Sequence, residues 1–182
     1  MKRNPLVFSG ALAVAAAFVA AAAGDPSINA AKSNIVATFK QENVPVDASF
    51  KSFNGRIDYD PAAPNAAKAA IEVETASFDM GSADYNSEVR KKSWLDSGTY
   101  PKASFISTSV KPGVNGHFDA TGTLTLKGKT QSLTVPVTAS TAGTAKVFDG
   151  AMEISRGYFG IGDPEWNEVL DDKVRIKFHL VE

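Results

Sequence analysis

His117-Phe118-Asp119-Ala120-Thr121-Gly122-Thr123-Leu124-Thr125-Leu126 runs into Lys127-Gly128-Lys129 and then into Ser132-Leu133-Thr134-Val135-Pro136-Val137. Phe118, Ala120, Gly122, Leu124 and Leu126 alternate strictly with polar residues, so one face is apolar and the other wet at a period of two. The same alternation resumes after the Lys-Gly-Lys interruption, which makes the pair a β-hairpin. Pro136 cannot donate a ladder hydrogen bond and is expected at an edge, a bulge or a strand end.

The pattern recurs outward from this hairpin. Val174, Ile176, Phe178 and Leu180 alternate with Arg175, Lys177 and His179, and further strands are expected at 34–41, 49–59, 68–75, 103–110 and 146–154. The phase is ambiguous around Phe50/Phe53 and Phe105/Ile106. Eight strands separated by turn signals predict an all-β fold, an antiparallel barrel or sandwich. One short helix is expected near 83–93, with Asp84 as its cap, Tyr85 and Val89 on one face, and Glu88 paired with Lys92.

The chain has 182 residues, with 19 Lys+Arg, 20 Asp+Glu, two His and no Cys. Without cysteine there is no disulfide framework, no thiolate metal site and no cysteine nucleophile. A net charge of −1 gives no basic face for phosphate, so nucleic acid is not an expected partner. Met1-Lys2-Arg3, an uncharged stretch from Leu6 to Ala23 and small residues before Asp25 describe a secretory signal peptide over 1–24, cut after Ala23 or Gly24. The expected organisation is then a short lead over 25–33 and one domain over 34–182, exported to the periplasm, with no membrane span left after cleavage. A retained anchor is the alternative for the apolar stretch. Strands shorter than the roughly 9–11 residues of a spanning strand, and no recurring aromatic girdle, favour a water-soluble barrel over an outer-membrane one.

Chemistry has little to stand on. His117 and His179 fall on polar strand faces, Asp58/Asp60 and Asp171/Asp172 read as solvated pairs, and Gly157–Gly162 reads as a tight turn or bulge rather than a dinucleotide loop. No catalytic residue, metal site or cofactor is expected. An eight-stranded barrel encloses either a packed core or room for one small ligand. Large residues (Phe39, Phe105, Phe118, Met152) mixed with small ones (Ala37, Ala120, Gly122, Gly150) suit a cavity, and a closed core of ordinary density is the competing reading.

Five segments, in order, resemble the YceI-like domain family of exported, lipocalin-like proteins. They are Phe50-Lys51-Ser52-Phe53-Asn54-Gly55-Arg56-Ile57-Asp58-Tyr59-Asp60, then Trp94-Leu95-Asp96 with Tyr100-Pro101-Lys102-Ala103-Ser104-Phe105, then Gly122 to Thr130 with Val135-Pro136-Val137, then Arg156-Gly157-Tyr158-Phe159-Gly160-Ile161-Gly162, and the closing strand. The resemblance implies an eight-stranded antiparallel lipocalin-like barrel whose apolar tunnel holds a polyisoprenoid or isoprenoid-quinone tail, with no cofactor chemistry and with homodimers in some members. Asp84 to Ser93 departs from the family by lacking histidine, so a particular quinone does not transfer. The residues expected to contact such a ligand are Phe39, Phe50, Trp94, Phe105, Phe118, Leu124, Leu126, Met152, Phe159 and Ile176. An enzyme acting on a lipid inside the barrel, or an envelope structural protein with a closed core, are the other two readings.

Overall fold

The computed structural model describes residues 27–182. The expected signal peptide and the first residues of the lead lie outside them. Ten strands form one antiparallel sheet: β1 (Asn34–Gln41), β2 (Val44–Phe50), β3 (Phe53–Asp58), β4 (Lys68–Glu74), β5 (Phe78–Asp79), β6 (Lys102–Pro112), β7 (His117–Leu126), β8 (Lys129–Ala142), β9 (Ala145–Ser155) and β10 (Lys173–Val181). Their order is β3-β4-β6-β7-β8-β9-β10-β1-β2-β5.

Ten strands replace the eight expected, for local reasons. The segment read as one strand over 49–59 breaks at Lys51-Ser52, and its first part begins earlier, at Val44. Glu42 and Asn43, both at positive φ (51° and 66°), make the β1–β2 turn without the glycine that usually announces one. Strand β5 is two residues long, too short to carry a period.

The break at Lys51-Ser52 also shapes the sheet. Strands β2 and β3 are consecutive in the chain yet lie near opposite margins of the ladder order, so the bend between them curls the sheet into a half-barrel. Two backbone bonds stitch the bend: Lys51 N–H to the Ser77 carbonyl at 3.1 Å and Glu74 N–H to the Ser52 carbonyl at 3.0 Å. The free side of β3 is covered by the lead, where Ile28 N–H reaches the Gly55 carbonyl at 2.9 Å. An unpaired edge would otherwise invite another strand.

Phase resets resolve the two ambiguous positions. Phe50 and Phe53, an odd number of residues apart, both face inward because the bend lies between them. Phe105 faces inward opposite Leu124, leaving Ile106 exposed on the outer face. A bulge between Ser107 and Ser109 then returns Val110 to the interior opposite Ala120. Pro136 lies inside β8 rather than at its end, but at the limit of the ladder to β9, which starts at Val137.

The helix α1 spans Ala83–Val89, shorter than expected. Its N-cap is Ser82, with Asp84 in the first turn. Glu88 pairs with Lys91 instead of Lys92. Asn86 anchors the helix to β5 by donating to Asp79 Oδ1 at 2.8 Å and accepting Met80 N–H at 2.7 Å.

Gly122 is required by close approach. A Cβ there would lie 2.4 Å from Phe105 Cζ and 2.6 Å from the Ile106 carbonyl oxygen, and backbone cannot yield as a side chain can. Gly122→Ala is therefore expected to cost about 1–3 kcal/mol through overpacking. A denaturation midpoint unchanged from wild type would refute this.

Candidate functional site

Inside the curled sheet lie two adjoining apolar cavities. The first, about 130 Å³, is enclosed by β1–β4 and β6–β10 and lined by Phe105, Phe118, Leu124, Met152 and Phe178 among others. The second, about 220 Å³, lies beneath α1 and the loop after β9, against Phe39, Phe78, Val89, Trp94 and Trp166. Each is comparable to the roughly 150 Å³ that stays dry and admits a benzene-sized apolar group. Phe50, Leu126 and Ile176 line both.

The interior does not close at crystal-like density. Phe39, Phe50, Phe105, Met152, Ile176 and Phe178 point inward yet remain only half-buried, because the surface they keep faces the chambers. Two glycines let rings lie down against the sheet: a Cβ at Gly150 would sit 2.4 Å from Phe178 Cζ, as one at Gly122 would from Phe105.

The structure distributes the expected contact residues unevenly. Phe105, Phe118, Leu124 and Met152 line the first chamber, Phe39 and Trp94 the second, and Phe50, Leu126 and Ile176 both. Phe159 lines neither. It is 1% exposed, sealed beneath the 156–162 turn and edge-on to Tyr158 at 5.0 Å. It follows the end of β9, so the strand's inward phase does not extend to it.

Sequence reasoning missed the loop side of the second chamber. Met80, Trp166 and Leu170 line it from segments without periodicity, and Trp166 packs on Trp94 with ring centroids 5.5 Å apart. The other omission is Arg156, which lines the same chamber at 5% exposure. Its guanidinium donates to the carbonyls of Asp171 (3.1 Å), Ile161 (3.1 Å) and Leu170 (2.8 Å) and to Asn167 Oδ1 (2.9 Å). A lone arginine closing an apolar strand before a glycine-rich turn was the available signal.

The Gly157–Gly162 segment is the expected turn, with φ of 68° at Gly160 and 85° at Gly162. At Gly162 a Cβ would stand 2.9 Å from Arg156 Nη1 and 3.2 Å from Trp94, so glycine lets the turn fold over both. Lys127 and Lys129 hold the turn from the β7–β8 hairpin, donating to the Gly160 and Tyr158 carbonyls at 2.6 and 2.7 Å. Burial lowers the Lys127 pKa, which Asp96 and Asp163 partly oppose.

Asp171 and Asp172 are both exposed, as expected of a solvated pair, but each also touches the site. Asp171 lines the second chamber, and the Asp172 carboxylate accepts Gly157 N–H at 2.8 Å. The Ser155 hydroxyl, then Gly157 N–H and the nearby Arg156 charge, hold the Asp172 pKa below its ordinary 3.8, with burial working against them. A lowered carboxylate pKa stabilises the fold above the unfolded value and loses that contribution as pH falls through the folded one. Wild type is thus expected to lose melting temperature on acidification below about pH 4, and Asp172→Asn to be less stable at neutral pH with a gap that narrows in acid. Melting curves across that range check this, and a gap that widened in acid would contradict it.

Both histidines sit on the outer surface. His117 Nδ1 lies 2.9 Å from Thr138 Oγ1 and His179 Nδ1 2.7 Å from Asp149 Oδ1, and neither histidine lines a chamber. Among the described residues no three His, Asp or Glu side chains gather closely enough to hold a metal ion. No described helix is long and apolar enough to cross a membrane.

The model of the YceI-like domain matches residues 27–181. The chain belongs to this family. Among YceI-like relatives, a UPF0312 protein of Pseudomonas savastanoi pv. phaseolicola is 32% identical over 125 residues, which is 65% of this chain and 65% of that protein's length. A Shewanella UPF0312 protein is 33% identical over 120 residues, 64% of this chain and 63% of its own. The crystal structure of Burkholderia cenocepacia BcnA superposes with a TM-score of 0.83 at 41% identity, covering 85% of this chain and 99% of BcnA. A polyisoprenoid-binding domain from Saccharophagus degradans superposes with a TM-score of 0.69 over 85% of this chain and 95% of that domain. At 17% identity it shares the YceI-like fold alone.

Proposed function

We propose that this YceI-like chain is a periplasmic lipid-binding protein that sequesters the apolar tail of an isoprenoid-type amphiphile. The observation that carries this reading is the pair of adjoining chambers walled almost wholly by apolar side chains that stay half-accessible from within. Removing an apolar chain from water gains about 25 cal/mol per Å². Binding should follow chain length and depend little on salt.

Polarity orients the ligand. The first chamber has few polar neighbours, Lys68, Ser104 and Ser107 among them, whereas Arg156, Glu88, Gln41 and Asp171 gather around the second. The polar end of an amphiphile belongs at the second chamber and its tail in the first. The Saccharophagus domain supports an isoprenoid as the tail, and the basic, apolar and small-residue order of the first 24 residues supports export. Arg156, the buried polar group of the second chamber, is tied into the loop that forms it, which favours binding over turnover.

The test is extraction. The mature protein, purified from the cell envelope and extracted with organic solvent, should release an isoprenoid-type lipid detectable by mass spectrometry, and the stripped protein should rebind a polyprenyl alcohol. Recovery of no lipid together with no rebinding would sink the reading.

A further inference from the structure

We propose that the ring of Phe50 is a movable partition between the two chambers, so that the tunnel selects ligands by length: short apolar chains occupy one chamber, and only chains long enough to displace Phe50 occupy both. The inference rests on the lipid-binding reading and adds to it which ligands are held.

Three side chains, Phe50, Leu126 and Ile176, line both chambers. They form the waist. Leu126 is 6% exposed and packs firmly in the interior cluster. Ile176 is β-branched, stiff at its first torsion, and held in mid-strand between β9 and β1. Phe50 is different. It ends β2, immediately before the bend at Lys51-Ser52, and its outer neighbour is the two-residue β5. Its ring stays half-buried and meets Phe78 at 4.9 Å in a tilted pair. Swinging it aside forfeits that aromatic pair, a factor of about two to ten in affinity, together with part of its packing against the two interior clusters. The opposing gain is large, since each methylene that passes the waist adds up to about fourfold.

Separately the chambers hold about 130 and 220 Å³, below the roughly 300 Å³ where ordinary ligand pockets begin. Joined, they become one elongated site. A chain that reaches the partition without crossing it gains nothing from its last unit, whereas a longer one recovers the cost and continues to gain.

The experiment measures dissociation constants of the stripped, full mature chain for geraniol, farnesol, geranylgeraniol and solanesol, in wild type and Phe50→Ala. In wild type one step of the series should improve affinity by less than about threefold while the others improve it by about tenfold or more. In Phe50→Ala that flat step should disappear. Phe50→Leu, which keeps an apolar filler at the strand end, should shallow it and serves if the alanine variant does not fold. Val110→Ala, in the first chamber away from the waist, should keep it. A wild-type series without a flat step, or a flat step that persists in both Phe50 variants, overturns the partition while leaving lipid binding intact. Failure of every chain to bind overturns both.

Discussion

Arg156→Leu is expected to lower the melting temperature by about 6–20 °C. The leucine removes a charge without removing what surrounds it. The carbonyls of Ile161, Leu170 and Asp171 each lose a donor, as does the Asn167 side chain. A buried acceptor left unpaired costs about 1–3 kcal/mol, and partial relaxation of the loop brings the total to about 3–5 kcal/mol. For a chain of this size each kcal/mol moves the midpoint by about 2–4 °C. The damage should concentrate at the second chamber, because Trp166, Leu170 and Asp171 line it and their carbonyls accept from this side chain, with the backbone bonds from Asp171 N–H to Lys40 and from Glu42 N–H to Val169 among the loop's remaining ties. Arg156→Lys should fall between, since an ammonium donates but lacks the planar fork that reaches several carbonyls at once. Thermal unfolding with added polyprenyl alcohol is the measurement. A midpoint for Arg156→Leu within about 2 °C of wild type would show that the loop is held by something else.

Strand interiors were legible and strand irregularities were not. Phe118, Leu124, Met152 and Ile176 face the tunnel because a period of two fixes their side of the sheet wherever the ladder is regular. Phe50 and Phe53 could not both be placed by that rule. The bend that reconciles them is a matter of how the sheet curls, which is set by partners far away in the chain. The bulge between Ser107 and Ser109 is equally silent, since serine and threonine there look like an ordinary outward face. Glu42-Asn43 hides a hairpin turn because it lacks glycine, so β2 was largely lost.

The same division governs the site. The first chamber is built from strands, and its lining followed from alternation. The second is closed by α1 and the loop over 156–172, where contacts depend on capping and carbonyl clamping rather than on period. Trp166 and Arg156 therefore escaped notice as lining residues, while Phe159, which shares a motif with Arg156, was assigned to the tunnel and lies beneath the turn instead.

Ala120→Phe separates an open tunnel from a closed core by the sign of its effect on stability. Ala120 lies on β7 between Phe118 and Gly122, opposite Val110 and Val135, and lines the first chamber. In a core packed to ordinary density a phenyl ring has nowhere to go, and overpacking costs about 1–3 kcal/mol. With about 130 Å³ beside it, the ring enters empty apolar space and fills it. Cavity filling commonly adds about 0.5–2 kcal/mol, so the melting temperature should stay level or rise. Binding should move the opposite way. The ring occupies the space intended for the tail, and affinity for a long polyprenyl alcohol should fall at least about tenfold, the loss expected when even two buried methylenes are excluded. Ala70→Phe, on the exposed face of β4 opposite Arg56 and Ile106, adds the same ring outside the barrel and should leave affinity unchanged. Only an occupied tunnel predicts a variant that gains stability and loses its ligand together. A destabilised Ala120→Phe that still bound the chain as wild type does would place the ligand elsewhere and return the interior to a plain core.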